Sequence, residues 1–457
     1  ETFTATPGTN RYDSMIPYYT TSGTTQLVVG AGNRLEGLSS AGAVVASSTA
    51  PTANPHFFTR FGGPTTEVVY AANGTDSVRQ WNGSAWSVPA WTGTTPTGKF
   101  VAVTPWDNRL ACARYSGSTG GSNQSSVRFS DLADPAGTPS TTQLNFPTNN
   151  YVDLTPGDGE QIMGMIAWGD YLFVFKESKF FVFNGTTTDS SGNPEFQYRT
   201  VDSGVGLAAS KGLCIGPDGV YFFTKRGIFR TSGGAPVLLS DKLDPLWYGG
   251  LSAYYGNTVI NPSAMTAPAM AWHEERLYVS VPSSGTTNDY TLVWDRKEGW
   301  WTIFSFKAAA LASFRVSGRA ELVFALADSG SPKDIVRTSD AYTDDAGEPI
   351  SATWYGGFSN YGSSNMKTIR ELKVWGTGEL TGIGFVPFTN AGSPTVPAVF
   401  TGTDLVKGKL VRKAARGTYF SLWVFGDTFN GGPFSVDAVT AHVRSRRTPS
   451  IVRGTDA

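Results

Sequence analysis

The chain has 457 residues, with 36 basic and 37 acidic side chains for a formal net charge of −1, and it carries 53 glycines, 26 prolines and 13% aromatic residues. Near-neutrality excludes a general nucleic-acid binder, and an apolar share of 40% excludes a disordered chain. The three histidines, His56, His273 and His442, stand far apart without ligand spacing, and no 18-residue apolar run could cross a membrane as a helix.

Residues 1–25 are polar and threonine-rich and read as an N-terminal arm. TQLVVGAGNRLEGL then opens a series of similar phrases, each an apolar run, a polar turn, and a Leu or Val leading a second apolar run. Leu35 follows GAGNR, Val78 follows NGTDS, Leu110 follows PWDNR, Val220 follows GPDG, Leu277 follows WHEER and Leu322 follows GRAE; with Leu172 this makes seven copies at intervals of 32 to 62 residues. The second copy holds two Asn-Gly turns, at Asn73 and Asn82. The third leads into a Gly/Ser-rich insertion over 116–126 and a long polar stretch to Asn150.

Residues 162–185, IMGMIAWGDYLFVFKESKFFVFNG, hold the fullest copy. Gly169-Asp170 separates a first run from a second, Lys176 to Ser178 separate the second from a third, and Asn184-Gly185 reads as a closing hairpin turn. Apolar residues fill both parities of the later runs, so both faces of these strands must be covered. The fifth copy turns at Asp218-Gly219 and Arg226-Gly227. Ser240 then reads as the N-cap of the one convincing helix, DKLDPLWYGGLSAYY, limited by Pro245 and weakened by Gly249-Gly250. The sixth copy spells out four strands, with a polar loop at 283–289 and a turn at 297–299. The segments 116–160 and 235–265 read as long loops between blades, where partners would be met.

From about residue 350 the strands lengthen and alternate more strictly, as Ile369, Leu372, Val374 and Phe420, Leu422, Val424 illustrate. Repeats of this length built from short strands that cannot bury their faces alone predict an all-β fold, an irregular β-propeller of about seven blades. The alternating C-terminal strands predict a jelly-roll-like β-sandwich. The expected divisions are an arm at 1–25, a propeller at 26–349, a sandwich at 350–447 and a tail at 448–457, with the boundary near the polar TDDAGEP.

No catalytic, cofactor or metal constellation is expected. Acidic turn residues such as Asp107, Asp170, Asp218 and Glu274 lack a paired arrangement, and neither a phosphate-cradling glycine pattern nor a nucleophile elbow occurs. Cys112 and Cys214 each sit in an apolar strand and read as buried thiols. Trp106, Trp168 and Trp272 stand at strand ends, where they could stack on a sugar or pack between blades. Charge is uneven: the span from Lys407 to Arg453 holds nine basic residues against two acidic ones, which leaves −8 for the remainder. Lys407, Lys409, Arg412, Lys413, Arg416, Arg444, Arg446 and Arg447 are therefore candidates for a surface meeting an acidic partner or passing DNA.

From SSVRFSDLADP through GDGEQIMGMIAWGDYLFVFKESKFFVFNG and VDSGVGLAASKGLCIGPDGVYFFTKRGIFRTSGG, the chain resembles the propeller of bacteriophage tail nozzle proteins, also called tail accessory or packaged-DNA stabilisation proteins. The resemblance continues through WYGGFSNYGSSNMKTIRELKVWG and RGTYFSLWVFGD, covering about 100–447. It implies a non-enzymatic virion protein, assembled in the host cytoplasm as a hexameric ring around a channel that genomic DNA crosses. The implied partners are other copies of the chain, the tail adaptor near the portal, and tail fibres or spikes, with no membrane span and no cofactor. A minor tail protein of a long-tailed phage is an alternative of the same class. A carbohydrate-binding or glycan-cleaving propeller is the rival of a different class, suggested by the tryptophans.

Overall fold

The computed structural model describes most of residues 11–338 with their side chains, apart from breaks of which the longest are 133–143, 249–259, 261–267 and 328–334; between 344 and 445 it describes backbone strands alone. The chain divides into two compact units, residues 2–338 and 339–457.

The first unit is a seven-blade β-propeller. Each blade is an antiparallel meander. Blade 1 runs through Tyr12–Tyr19, Thr25–Ala31, Arg34–Ser39 and Val44–Thr49, and blade 2 through Phe57–Phe61, Val68–Ala72, Arg79–Trp81 and Trp86–Ser87. Blade 3 uses Phe100–Trp106, Arg109–Ser116, Ser122–Phe129 and Tyr151–Asp153; blade 4 uses Gly164–Trp168, Tyr171–Phe175, Phe180–Thr188 and Pro194–Val201. Blade 5 is Leu213–Gly216, Gly219–Thr224, Gly227–Thr231 and Val237–Leu238, and blade 6 is Ala269–His273, Arg276–Val281, Tyr290–Asp295 and Trp300–Phe304. Blade 7 has three strands among the described residues, Ala308–Val316, Arg319–Leu326 and Ile335–Arg337.

The first strand of every blade touches the first strands of both its neighbours, and that of blade 7 touches that of blade 1, so the ring is closed. The two-faced apolar pattern explains why. In blade 4, Leu172, Val174, Phe181 and Phe183 join the cluster shared with blade 3, while Phe173, Phe175, Phe180 and Val182 join the cluster shared with blade 5. A cluster of this kind fills each of the seven junctions. At the seam, Phe314, Val323 and Ala312 of blade 7 pack with Tyr12, Leu27 and Val29 of blade 1. Tyr19 stacks on Phe314 at 6.3 Å, and its hydroxyl oxygen accepts the Arg315 N–H at 3.0 Å.

Several expectations are corrected. The stretch read as an arm supplies the first strand of blade 1, Tyr12–Tyr19, buried by its contacts with blades 2 and 7. Leu35 and Val78 consequently mark the third strand of their blades, whereas Leu110, Leu172, Val220, Leu277 and Leu322 mark the second. Asn184-Gly185 is no hairpin turn. It lies inside Phe180–Thr188, where the register shifts between Phe183 and Gly185 as a β-bulge lets the strand continue. The segment 116–160, expected as a loop, supplies the third and fourth strands of blade 3, Ser122–Phe129 and Tyr151–Asp153. Of the expected helix, the structure describes a short 3₁₀ turn, Asp241–Leu243, followed by Asp244–Tyr248. Ser240 makes no capping bond, because its hydroxyl accepts the Ile228 N–H at 3.0 Å.

Among the described residues the second unit contains two three-stranded antiparallel sheets. In one, Tyr419–Asp427 lies between Ser351–Tyr355 and Gly382–Phe388; in the other, Lys367–Thr377 lies between Lys409–Gly417 and Ser435–Ser445. The contact boundary at 338/339 falls before the expected one, and the two-stranded hairpin Asp344–Asp345 with Glu348–Pro349 occupies the TDDAGEP stretch.

Gly37 tests how closely the blades approach. A methyl group there would run into the Trp81 ring of blade 2, which is fully buried, and overpacking of this kind costs about 1–3 kcal/mol. Gly37→Ala should lower propeller stability by that amount in urea denaturation followed by tryptophan fluorescence. Gly234→Ala, with nothing within 4 Å, should stay within about 0.5 kcal/mol of the parent.

Candidate functional site

The tryptophans nominated from the sequence lie at joints between blades. Trp106 ends the first strand of blade 3, is 5% exposed, and donates its indole N–H to the Asp170 carbonyl of blade 4 at 2.8 Å. No ring face is left on it for a sugar. Trp168 of blade 4 donates to the Gly216 carbonyl of blade 5 at 3.1 Å. Trp272 of blade 6 packs on Tyr221 of blade 5 at 5.2 Å and so close to Gly216 that a methyl there would lie 2.9 Å from its ring. Gly216 thus carries the joint of three blades. His273 makes a similar link, its Nδ1 lying 3.0 Å from the Ser313 hydroxyl of blade 7.

A second group of polar residues gathers at the hub, where the first strands begin. The Ser14 hydroxyl donates to Asp13 Oδ1 at 2.5 Å and accepts the His56 backbone N–H at 3.1 Å. Gly30 leaves the room for this, since a methyl there would lie 2.8 Å from Ser14 Oγ and 3.4 Å from His56 Nδ1. Asn73 accepts the Thr75 and Asp76 N–H groups on Oδ1, at 3.0 and 2.8 Å, which fixes its amide. Its NH2 then donates to Asp76 at 2.8 Å and faces His56 Nε2 at 3.4 Å. The ring nitrogen turned to Asn73 must accept, so the proton sits on Nδ1, which is buried without a partner. Burial pushes Asp76 upward, but hydrogen bonds from Thr52 and Asn73 outweigh it and hold the carboxyl below its ordinary range.

Lys211 reaches this cluster from the segment before blade 5 and donates to the Asp13 carbonyl of blade 1. Blades 1 and 5 are not neighbours in the ring, so the side chain crosses the central opening. It keeps part of its surface exposed, and burial, opposed by Asp13 and assisted by Arg11, pulls its ammonium down to about 8. Burial likewise pushes the His56 imidazole below its ordinary value, against the pull of Asp13 and Asp76.

The sequence marks Asn73 as a turn residue, and nothing in it joins Asn73 to the other hub residues. Asp13 and Ser14 lie in the stretch that reads as an arm, and the histidines show no ligand spacing in the sequence. The available signal was the polar pair inside YDSMIPYY, a run otherwise suited to a strand.

A third feature lies at the blade 3–4 junction. Lys176, read as a turn residue, is fully buried. Its ammonium meets both carboxylate oxygens of Asp158 at 2.8 and 2.9 Å, both oxygens of Thr155 and the Ser125 hydroxyl. On the opposite side of the ring, Arg296 of blade 6 bridges Asp218 of blade 5 and its own blade's Glu275, each at 2.6 Å. Among the described residues no three His, Cys, Asp or Glu side chains converge as metal ligands. Cys112 and Cys214 are free and buried, and burial pushes the Cys214 thiol up to about 12.

The basic candidates fall in the second unit. Lys409, Arg412, Lys413 and Arg416 share the strand Lys409–Gly417, and Arg444 lies on Ser435–Ser445. Register places Arg416 and Arg444 on either side of Thr368 in the central strand, and pairs Arg412 with Glu371. Lys407, Arg446 and Arg447 lie outside the described residues.

No protein-family model and no curated protein matches the chain. Similar solved structures include virginiamycin B lyase from Staphylococcus aureus, 13% identical over 73% of this chain and 96% of that one, with a TM-score of 0.43. BBS1N in complex with ARL6DN is 11% identical over 71% of this chain and 91% of that one, with a TM-score of 0.42. A chain of the mitotic checkpoint complex is 9% identical over 72% and 90%, with a TM-score of 0.41. The propeller is established by the blades themselves.

Two outcomes test these assignments. Lys176→Met leaves Asp158 with Lys179 at 3.3 Å, the Thr155 hydroxyl at 2.7 Å and the Glu160 N–H at 3.0 Å, but strands the buried Ser125 hydroxyl that the ammonium had met, and should cost about 1–3 kcal/mol, read by urea denaturation. The hub sets a pH dependence. Folded His56 binds its proton less readily than the unfolded side chain, whose value is about 6.5. Below that value the unfolded chain holds more protons, so stability should rise with pH up to about 6.5 and then level off. Lys211, at about 8 folded, adds a second rise of the same sign between there and the unfolded value near 10.4. In denaturation series across pH, His56→Gln should flatten the first rise and Lys211→Met the second.

Proposed function

We propose that the chain is a structural protein of a bacteriophage tail. In this reading its two C-terminal sheets pack as a sandwich, and the propeller assembles into a hexameric ring that extends the DNA conduit below the portal and adaptor and anchors fibres or spikes. The observation that carries the reading is the use made of the polar and aromatic groups. Trp106, Trp168, His273, Lys176 and Arg296 each hold one blade to another, so the groups that could have done chemistry serve as mechanical joints. The sequence resemblance over 100–447 supports it as well, since it implies a propeller and the described blades form one.

In this reading DNA passes along the axis of the ring of subunits, because Lys211 crosses the propeller's own opening. Near-neutral charge suits such a conduit, as a strongly basic lumen would hold DNA by counterion release and slow its exit. The strand bearing Lys409, Arg412, Lys413 and Arg416 would then meet an acidic neighbour or the passing backbone. Mass spectrometry of purified particles should find the chain in a fixed ring stoichiometry with the adaptor. A lysate rich in the chain alongside particles that lack it would overturn the reading.

A further inference from the structure

The hub holds two cations, Lys211 and Arg11, that no carboxylate among the described residues meets directly. Lys211 and Arg11 lie close enough to feel one another, and among the described residues their hydrogen-bond acceptors are both neutral carbonyls, Asp13 O for Lys211 and Ala327 O, at 3.2 Å, for Arg11. No carboxylate among the described residues forms an ion pair with either. Asp13 is the one acid whose field reaches Lys211, and one of its oxygens is taken by Ser14. Asp76 is held by Thr52 and Asn73. Around the Lys211 ammonium two cations face one acid, since Asp76 acts on His56 and not on Lys211, and inside a ring of apolar blades that is a costly arrangement unless an anion joins it.

The donors to receive one are present. An ammonium has three N–H groups, and Lys211 places one on the Asp13 carbonyl. The Arg11 guanidinium places a single contact, from Nη1, on Ala327. His56 Nδ1, on a side chain 4% exposed, carries a proton with no acceptor and lies beside Ser14 and Asp13. Lys211 and Arg11 both retain some exposure. We propose that the hub of the propeller binds a small oxyanion, a phosphate or a carboxylate, held by Lys211 and Arg11 with the His56 Nδ1–H as a third donor. The site stands independently of the tail reading, because it rests on blades 1, 2, 5 and 7 of a single chain.

Thermal unfolding of the full chain in inorganic phosphate, at constant ionic strength with chloride as reference, tests it. The melting temperature should rise saturably with phosphate near pH 7. Lys211→Met should weaken the apparent dissociation constant at least tenfold, while Lys211→Arg should retain part of the effect. Arg11→Gln gives a second handle should Lys211→Met fail to fold, and it too should weaken binding severalfold. In the parent chain the phosphate affinity should fall between pH 7 and 9.5 as Lys211 loses its charge. An acetate series separates the two sources: a saturable rise in acetate alone assigns the site to carboxylates. The absence of a saturable rise with either anion, or equal rises in the parent, Lys211→Met and Arg11→Gln, would overturn the site, the latter by showing only the general exclusion of salts from protein surfaces.

Discussion

A blade that is apolar on both faces has nowhere to turn toward water, and the propeller follows from that constraint. Leu172 and Val174 point one way and Phe173 and Phe175 the other, so blade 4 needs a neighbour on each side, and so does every blade in turn. The requirement ends only when the last blade meets the first. Among the described residues no strand is exchanged across that seam, which is closed by side chains around Phe314, Val323, Tyr12 and Leu27. Magnitudes explain why this suffices. Loop-closure entropy rises by only about 0.6 kcal/mol per doubling of length, whereas burying one such side chain contributes roughly 1.5–3 kcal/mol.

The same constraint made the fold legible, because two-parity apolar runs separated by turn residues are visible in the sequence around Leu172, Val220 and Leu277. What the runs could not give was phase. Every hairpin of a blade has the form apolar run, turn, apolar run, so by pattern alone Leu35 and Val78 are equivalent to Leu172, although they mark the third strand of their blades and Leu172 the second. The Thr-rich context of residues 1–25 hid Tyr12–Tyr19 and made that slip undetectable. Asn184-Gly185 failed for a related reason: the dipeptide favours positive φ, and a bulge uses that freedom as readily as a hairpin does. The hub was the least legible part. It joins residues 11–14, 56 and 211, which no local period relates and which only ring closure brings together.

Polar groups in the propeller fall into two kinds. Some secure joints at modest cost, as the indole N–H groups of Trp106 and Trp168 do by answering carbonyls of the next blade. Others sit where local energetics oppose them. Glu274 and Glu275 form the tight turn after the first strand of blade 6 with φ of 45° and 63°, a left-handed conformation costing about 1–2 kcal/mol per residue. Exposed ion pairs such as Glu275 with Arg296 contribute about 0.2–1 kcal/mol, so they do not offset that strain. Packing of the first strand against its neighbours must hold the turn in place.

The hub answers a different demand. The first strands of the seven blades present their unpaired edges to the central opening, and the carbonyls along those edges need donors that no neighbouring strand supplies. An apolar plug would leave them unsatisfied. A lysine crossing the opening satisfies one of them, at the cost of bringing an ammonium near a guanidinium. Polar side chains are therefore forced on this position by the geometry of the ring, but the pairing of two cations around Asp13 is not. A neutral donor such as asparagine or glutamine could serve an edge carbonyl equally well, so the charge itself is what calls for a binding partner.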